Sequence, residues 1–334
     1  MDKRRNSLHP WFYLTGERRI SPKNFDCDPG IDDALALGYL AAALITLVGV
    51  GSVYGNTESE YAAQNTLDWL SLMGREDVPV ALGARNPLLG KFKAAATHIH
   101  GETGTGAVEL PTAKRTLEEI TAAELLVELA HEHAGELEII SVGPMTNIAL
   151  ALALEPELPK YIKQYTLMGG TAYHPGNVSP VAEANVIKDP EAAKLVFEQP
   201  WMLTMVGLDV TMTNNFTEAH REALSKSASQ SARALAEVLD FYFDFHVGVF
   251  GERKSALHDP LAAAIGAGGI TPTLAPVVNV EVDATSGPGR GQTICDLRGQ
   301  YINFPAQEGA HCAVVLEVDK EAPEHLLSAL TTLP

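Results

Sequence analysis

Apolar and polar residues fall along this chain in alternating blocks. From Ala34 to Gly55 the segment "ALALGYLAAALITLVGVGSVYG" carries no charge and on length alone suggests a membrane span. Its two halves differ in kind. The first is alanine-rich, as in a buried helix; the second is β-branched and glycine-punctuated, as in a buried parallel strand entered by a short turn. The same pattern predicts strands in "VPVALG" (78–83), "ELEIISVG" (136–143), "YIKQYTLMGG" (161–170) and "PWMLTMVGLD" (200–209). Helices are predicted over 59–73, 117–133, 147–155 and 189–198, the last with Asp189 as N-cap and Pro190 in its first turn. This alternation predicts an α/β domain with a mostly parallel central sheet covered by helices on both faces. A polar break at 225–231 separates two helical stretches, and 277–334 reads as strands and a last helix completing the domain. Within it "TSGPGRGQT" lacks the GK[ST] ending of a phosphate-binding loop and is expected to be a hairpin or loop.

With 334 residues and 46% hydrophobic composition, the chain can bury a large core, and a single domain is expected. Residues 1–22 are basic, with aromatics but too short an apolar run for a signal peptide, and are expected to form a loose extension before a domain spanning 23–334. A net charge of −18 without a dense Lys/Arg run argues against nucleic acid or an anionic membrane as partner. Three cysteines, Cys27, Cys295 and Cys312, show no CxxC arrangement and fit a reducing cytoplasm.

Ligands of parallel sheets sit at the carboxyl ends of the strands. The polar residues there are "DCDPGIDD" (26–33), "GNT" (55–57), "GPMTN" (143–147), "MGGTAYHPGN" (168–177) and "HDP" (258–260), the last opening a helix. Four aspartates fall within eight positions. Two carboxylates about 4 Å apart repel by about 4 kcal/mol at an effective dielectric of 20, so such a set must be solvated, protonated or neutralised. A hard cation would neutralise it, and calcium takes about six to eight oxygens. The alternative is that Asp32 and Asp33 merely favour a helix N-terminus.

Together with "HGETGTG", "GPMTNIAL", "LMGG", "GNVSPVAEANVIKDPEAA" and "HDPLA", the motif "DCDPGIDDALAL" resembles the ordered motifs of the inosine-uridine preferring nucleoside hydrolases, from about Asp26 to the C-terminus. The resemblance implies an open Rossmann-like fold and calcium-dependent hydrolysis of the N-glycosidic bond of ribonucleosides to ribose and a free purine or pyrimidine base, as in nucleoside salvage. Calcium would be held by Asp28, Asp33, Asp259 and the main-chain carbonyl of Thr146, with Asp26 behind them or merely ending its strand. Asp28 would take the proton of a metal-activated water, and an anionic site suits an oxocarbenium-like transition state. Asp32 and Asn56 would meet the ribose hydroxyls, Asn185 the 3′ side, and Glu183 with Asn177 the 5′-hydroxyl. Asn177 also suits a plain turn, and Met168 a plain core position. Glu183 and Asn185, two apart, would point to one side of an extended segment. His258 and His100 would stand near the leaving base, whereas His131 and His133 suit a solvated helix end. Assembly as a homodimer or homotetramer is implied.

Three departures carry expectations of their own. Pro22 and Lys23 in "RRISPKNF" predict a short or irregular first strand; Ala184 stands where many relatives carry an aromatic; the loop bearing His174 is one residue longer than the commonest form. Rival readings are a non-catalytic calcium-dependent nucleoside or ribose binder and a haloacid-dehalogenase-like phosphatase; for the latter the Thr or Val expected after its DxD element is missing.

Overall fold

The computed structural model describes residues 21–43 and 45–334, so all but the last two residues of the expected extension lie outside the described residues. In chain order the strands are β1 (Pro22–Cys27), β2 (Thr46–Ser52), β3 (Val80–Ala81), β4 (Leu137–Ser141), β5 (Ile162–Met168), β6 (Leu203–Val206), β7 (Asn215–Thr217), β8 (Lys254–Ala256), β9 (Val277–Val278), β10 (Val280–Val282), β11 (Thr293–Cys295) and β12 (Cys312–Val314). The helices are α1 (Ile31–Ala42), α2 (Ser59–Leu72), α3 (Thr97–His100), α4 (Ala122–Glu132), α5 (Thr146–Leu154), α6 (Ala184–Lys188), α7 (Pro190–Phe197), α8 (Leu208–Thr211), α9 (Glu218–Ser225), α10 (Gln230–Phe250), α11 (His258–Gly266) and α12 (Ala322–Leu330).

Eight strands form one sheet in the order β3-β2-β1-β4-β5-β6-β12-β9, parallel except for β9 against β12. The chain builds outward from β1 to β3 and then returns to the other side of β1 for β4. This reversal opens a crevice at the carboxyl ends of β1 and β4, where ligands of such sheets bind. Along β4, Ile140 faces a core shared with Leu35, Leu239 and Leu261, while Leu137 and Ile139 face one shared with Leu126, Ile148 and Val196. Helices therefore cover both faces. The uncharged segment divides as its pattern predicts, into α1 and β2, and among the described residues no helix is long and apolar enough to cross a membrane. The Gly-rich "TSGPGRGQT" joins the antiparallel pair β10 and β11.

The first strand is irregular at one point, as expected, but it is not short. All six residues of β1 are buried and it pairs with both β2 and β4, its only irregularity a register shift between Lys23 and Asn24. Pro22 occupies the first position, which a strand tolerates. Lys23 is buried by pairing with Glu138 of β4, and Asn24 Nδ2 donates to the Gly49 carbonyl (3.3 Å). Burial pushes the Glu138 carboxyl up, but Lys23 and Lys163 hold it net below its ordinary range. Satisfied polar side chains thus substitute for the missing apolar ones.

Candidate active site

β1 ends at Cys27, α1 starts at Ile31, and the acidic turn lies between them. Asp33, in the first turn of α1, folds back: its Oδ1 accepts from the Asp28 N–H (3.0 Å) and its Oδ2 from the Gly30 N–H (2.9 Å) and Asn56 Nδ2 (3.0 Å). Asp28 Oδ2 accepts from the Asn56 N–H (2.6 Å) and Lys188 Nζ (3.4 Å). Backbone presses on Asp28 from both neighbouring strands. A Cβ at Gly55, beyond β2, would overlap Asp28 Oδ2, and one at Gly143, beyond β4, would come within 2.7 Å of Oδ1. The glycines of "GNT" and "GPMTN" are therefore required by space.

Asp32, Asp33 and Asp259, the last at the second residue of α11, each bring an oxygen within 4.8 Å of the others. Asp32, expected at the ribose, thus stands in this set, whereas Asp28, expected as a metal ligand, is outside it and is joined to it through its N–H to Asp33 Oδ1. Asp28 Oδ1 and Asp32 Oδ1 are buried without a hydrogen bond among the described residues. Burial, reinforced by neighbouring carboxylates, raises Asp28 and Asp259 well above the carboxylate range and Asp32 to about 7; burial also raises Asp33 against its hydrogen bonds. Converging carboxylates with unbonded oxygens could hold a metal ion. Thr146, first residue of α5, lies three residues past Gly143; its hydroxyl donates to Asp189 Oδ2 (2.7 Å). Asp26 Oδ2 accepts from Asn147 Nδ2 (2.8 Å), which also donates to the Ser52 carbonyl, tying the ends of β1 and β2 to α5. Burial pushes the Asp26 carboxyl up to about 7.

One local expectation is overturned beyond β5. Glu183 and Asn185 are not in an extended segment: Glu183 is the N-cap of α6, and Asn185 lies in its first turn. The Glu183 carboxylate takes the N–H groups of Asn185 (2.8 Å), Val186 (3.1 Å) and Gly170 (3.0 Å), so capping decides the local structure. Both residues remain buried, and burial raises the Glu183 carboxyl despite those bonds. Asn185 Nδ2 donates to the Val142 carbonyl (2.7 Å) and reaches Met168 Sδ (3.4 Å), with Met168 buried at the end of β5. Asn177 is exposed and accepts from the Ala184 N–H (3.0 Å), so it supports the start of α6.

The other wall is aromatic and imidazole. His100 Nδ1 accepts from the Ile31 N–H (3.1 Å), which leaves the ring proton on Nε2, and its ring packs against Tyr242 at 5.5 Å. Tyr242, on α10, donates its hydroxyl to Asp32 Oδ2 (3.1 Å) and meets His246 at 4.3 Å. His258 Nδ1 lies 2.9 Å from the Thr211 hydroxyl. Loss of hydration, with further cationic neighbours, lowers His100 well below its ordinary range and His258 to about 3. Both rings are neutral at pH 7. The loop bearing His174 is fixed by Asp209, whose carboxylate accepts from the N–H groups of Ala172, Tyr173 and His174. His131, as expected, sits at a helix end paired with Glu155.

Three residues absent from the sequence reading join the site: Lys188, Tyr242 and His246. His246 donates from Nδ1 to the Tyr242 carbonyl (2.9 Å) and packs against Phe245 and Phe250. A four-residue spacing within a helix is the ordinary signature of core packing, which hid both aromatic-wall residues.

Residues 24–324 match the family model described as inosine-uridine preferring nucleoside hydrolase. The chain is 36% identical over 303 residues to the Leishmania major inosine-uridine preferring nucleoside hydrolase, covering 88% of this chain and 92% of that protein. It is 34% identical over 311 residues to the pyrimidine-specific ribonucleoside hydrolase RihA of an Enterobacter species (92% and 96%). Among solved structures, the purine-preferring ribonucleoside hydrolase from Gardnerella vaginalis superposes with a TM-score of 0.85 at 30% identity, covering 93% of this chain and 98% of that one.

Proposed function

The chain belongs to the inosine-uridine preferring nucleoside hydrolase family, and from that premise we propose that it is a calcium-dependent enzyme cleaving ribonucleosides to ribose and a free purine or pyrimidine base. Family membership as an enzyme retires the phosphatase and pure-binder readings. The observation that carries the calcium reading is the convergence of Asp32, Asp33 and Asp259 beside Asp28, with buried oxygens that have no hydrogen bond among the described residues. Asp28, Asp33, Asp259 and the Thr146 carbonyl would hold the ion, with Asp32 at its edge. Bound there, calcium would grip ribose hydroxyls and acidify the attacking water.

Asp28 would take the proton of the attacking water. Its Oδ2 is held by the Asn56 N–H, while Oδ1 remains available. As the bond to the base lengthens, the ribosyl ring becomes cationic, and the acidic turn stabilises it. Asn56, Asp32 and Asn185 would orient ribose hydroxyls, Glu183 with Asn177 would meet the 5′-hydroxyl, and Met168 would close over the sugar. His100, whose proton is on Nε2, and His258 donate hydrogen bonds to the departing base as neutral imidazoles. The three free cysteines support a cytoplasmic setting, and assembly as a homodimer or homotetramer is the expected state, open to light scattering.

The test is a reducing-sugar assay over inosine, adenosine, guanosine, uridine and cytidine, with chelator and after calcium is restored. Ribose release that chelation removes and calcium returns is expected. Release indifferent to chelation would overturn the calcium reading, and no release from any nucleoside would overturn the activity.

A further inference from the structure

Lys188 ends α6 with its ammonium inside the acidic site, 3.4 Å from Asp28 Oδ2 and 3.3 Å from Asn56 Oδ1. Only 20% of its side chain is exposed, and its partner Asp28 is fully buried. Its backbone is held on both sides. Glu183 caps the start of α6, the Lys188 carbonyl accepts from the Tyr54 hydroxyl (3.3 Å), and Asp189 holds the N–H groups of Leu88 and Ala192 together with the Thr146 hydroxyl. The ammonium also favours the ionised forms of Asp28, Asp32, Asp33 and Glu183 and opposes protonation of His100, so its charge spans the site.

A positive charge here works against a transition state that is itself cationic, so leaving-group departure gains nothing from it. It does compete for Asp28. We propose that Lys188 is a positioning residue, an internal counter-cation that shares Asp28 with the metal, weakening calcium binding while holding the acidic turn together when calcium is absent. This rests on the calcium reading above.

The full chain, stripped with chelator, is compared with K188M, which keeps the stem and removes the charge, and K188R, which keeps the charge. Calcium affinity is measured by titration calorimetry at pH 8, and melting is followed with and without calcium. K188M is expected to bind calcium about tenfold more tightly and to melt lower than wild type without calcium, so that calcium raises its melting temperature further. K188R is expected to stay within about threefold of wild type in affinity, since one cation replaces another. Unchanged or weaker binding by K188M, or equal shifts in K188M and K188R, would overturn the proposal and leave the calcium reading standing. A wild type that binds no calcium would overturn both.

Discussion

The two walls of the site are built by opposite strategies. The acidic wall comes largely from one short turn, in which Asp28 and Asp33 are locked by backbone N–H groups within a few residues and by the neighbouring "GNT" loop. The imidazole wall is gathered from α3, α10 and α11, and each imidazole has its own anchor: His100 the Ile31 N–H and the Tyr242 ring, His246 the Tyr242 carbonyl and ring, and His258 the Thr211 hydroxyl. A wall made from one turn gives charge whose position tolerates little change. A wall assembled from three helices can alter its chemistry at one position without disturbing the others. Substitutions on the acidic side should therefore affect every nucleoside alike, and those on the imidazole side should depend on the leaving group.

The largest expected effect is Asp28→Ala, which should lower kcat/KM by about a thousandfold or more for all nucleosides with an unchanged far-UV circular dichroism spectrum. Near-normal turnover in that variant would remove the proposed base. Next, His258→Ala should slow inosine by about a hundredfold but an activated aryl riboside by less than about tenfold, because a good leaving group needs no donated proton; equal losses would erase the distinction between the walls. His246→Ala and Tyr242→Phe should cost about tenfold or less on inosine and leave the aryl riboside nearly unaffected, again by steady-state kinetics.

A fourth prediction concerns pH. Asp26 and Asp32 are pushed to about 7 when folded, so the folded protein holds more protons than the unfolded chain above the ordinary carboxylate range. Their contribution to stability is complete below about pH 4 and is lost as pH rises through about 7. Without calcium the melting temperature should carry this loss. With calcium the deprotonated cluster is compensated, so the gap between loaded and stripped protein should widen from pH 5 to pH 8. A gap that narrows would contradict the buried cluster. His100 and His258, both depressed by loss of hydration, should not titrate in that window.

The same contrast explains what could be read from residues alone. The acidic turn is legible because aspartates crowded beside Pro29 and Gly30 conflict electrostatically unless a site resolves them, and the strand and helix blocks carry the parallel sheet. The full length of β1 is not legible, because Pro22 and Lys23 look unfit for a central strand until the proline takes the first position and Glu138, distant in sequence, pairs with the lysine. The start of α6 is not legible because spacing two apart reads as extended, while Glu183 capping makes it helical. Lys188, Tyr242 and His246 carried no local signal, since their partners lie 132 or more residues away or within an ordinary helix face.

Gly30 joins the two walls at a single point. Its φ of −94° is open to any residue, but a Cβ there would sit 2.5 Å from His100 Nδ1 and 2.9 Å from Asn56 Nδ2. For anyone redesigning substrate range, the walls are consequently not interchangeable modules. A base-side loop grafted from another protein would have to return its imidazole to within a fraction of an ångström of the acidic turn, or lose the Ile31 N–H that orients it.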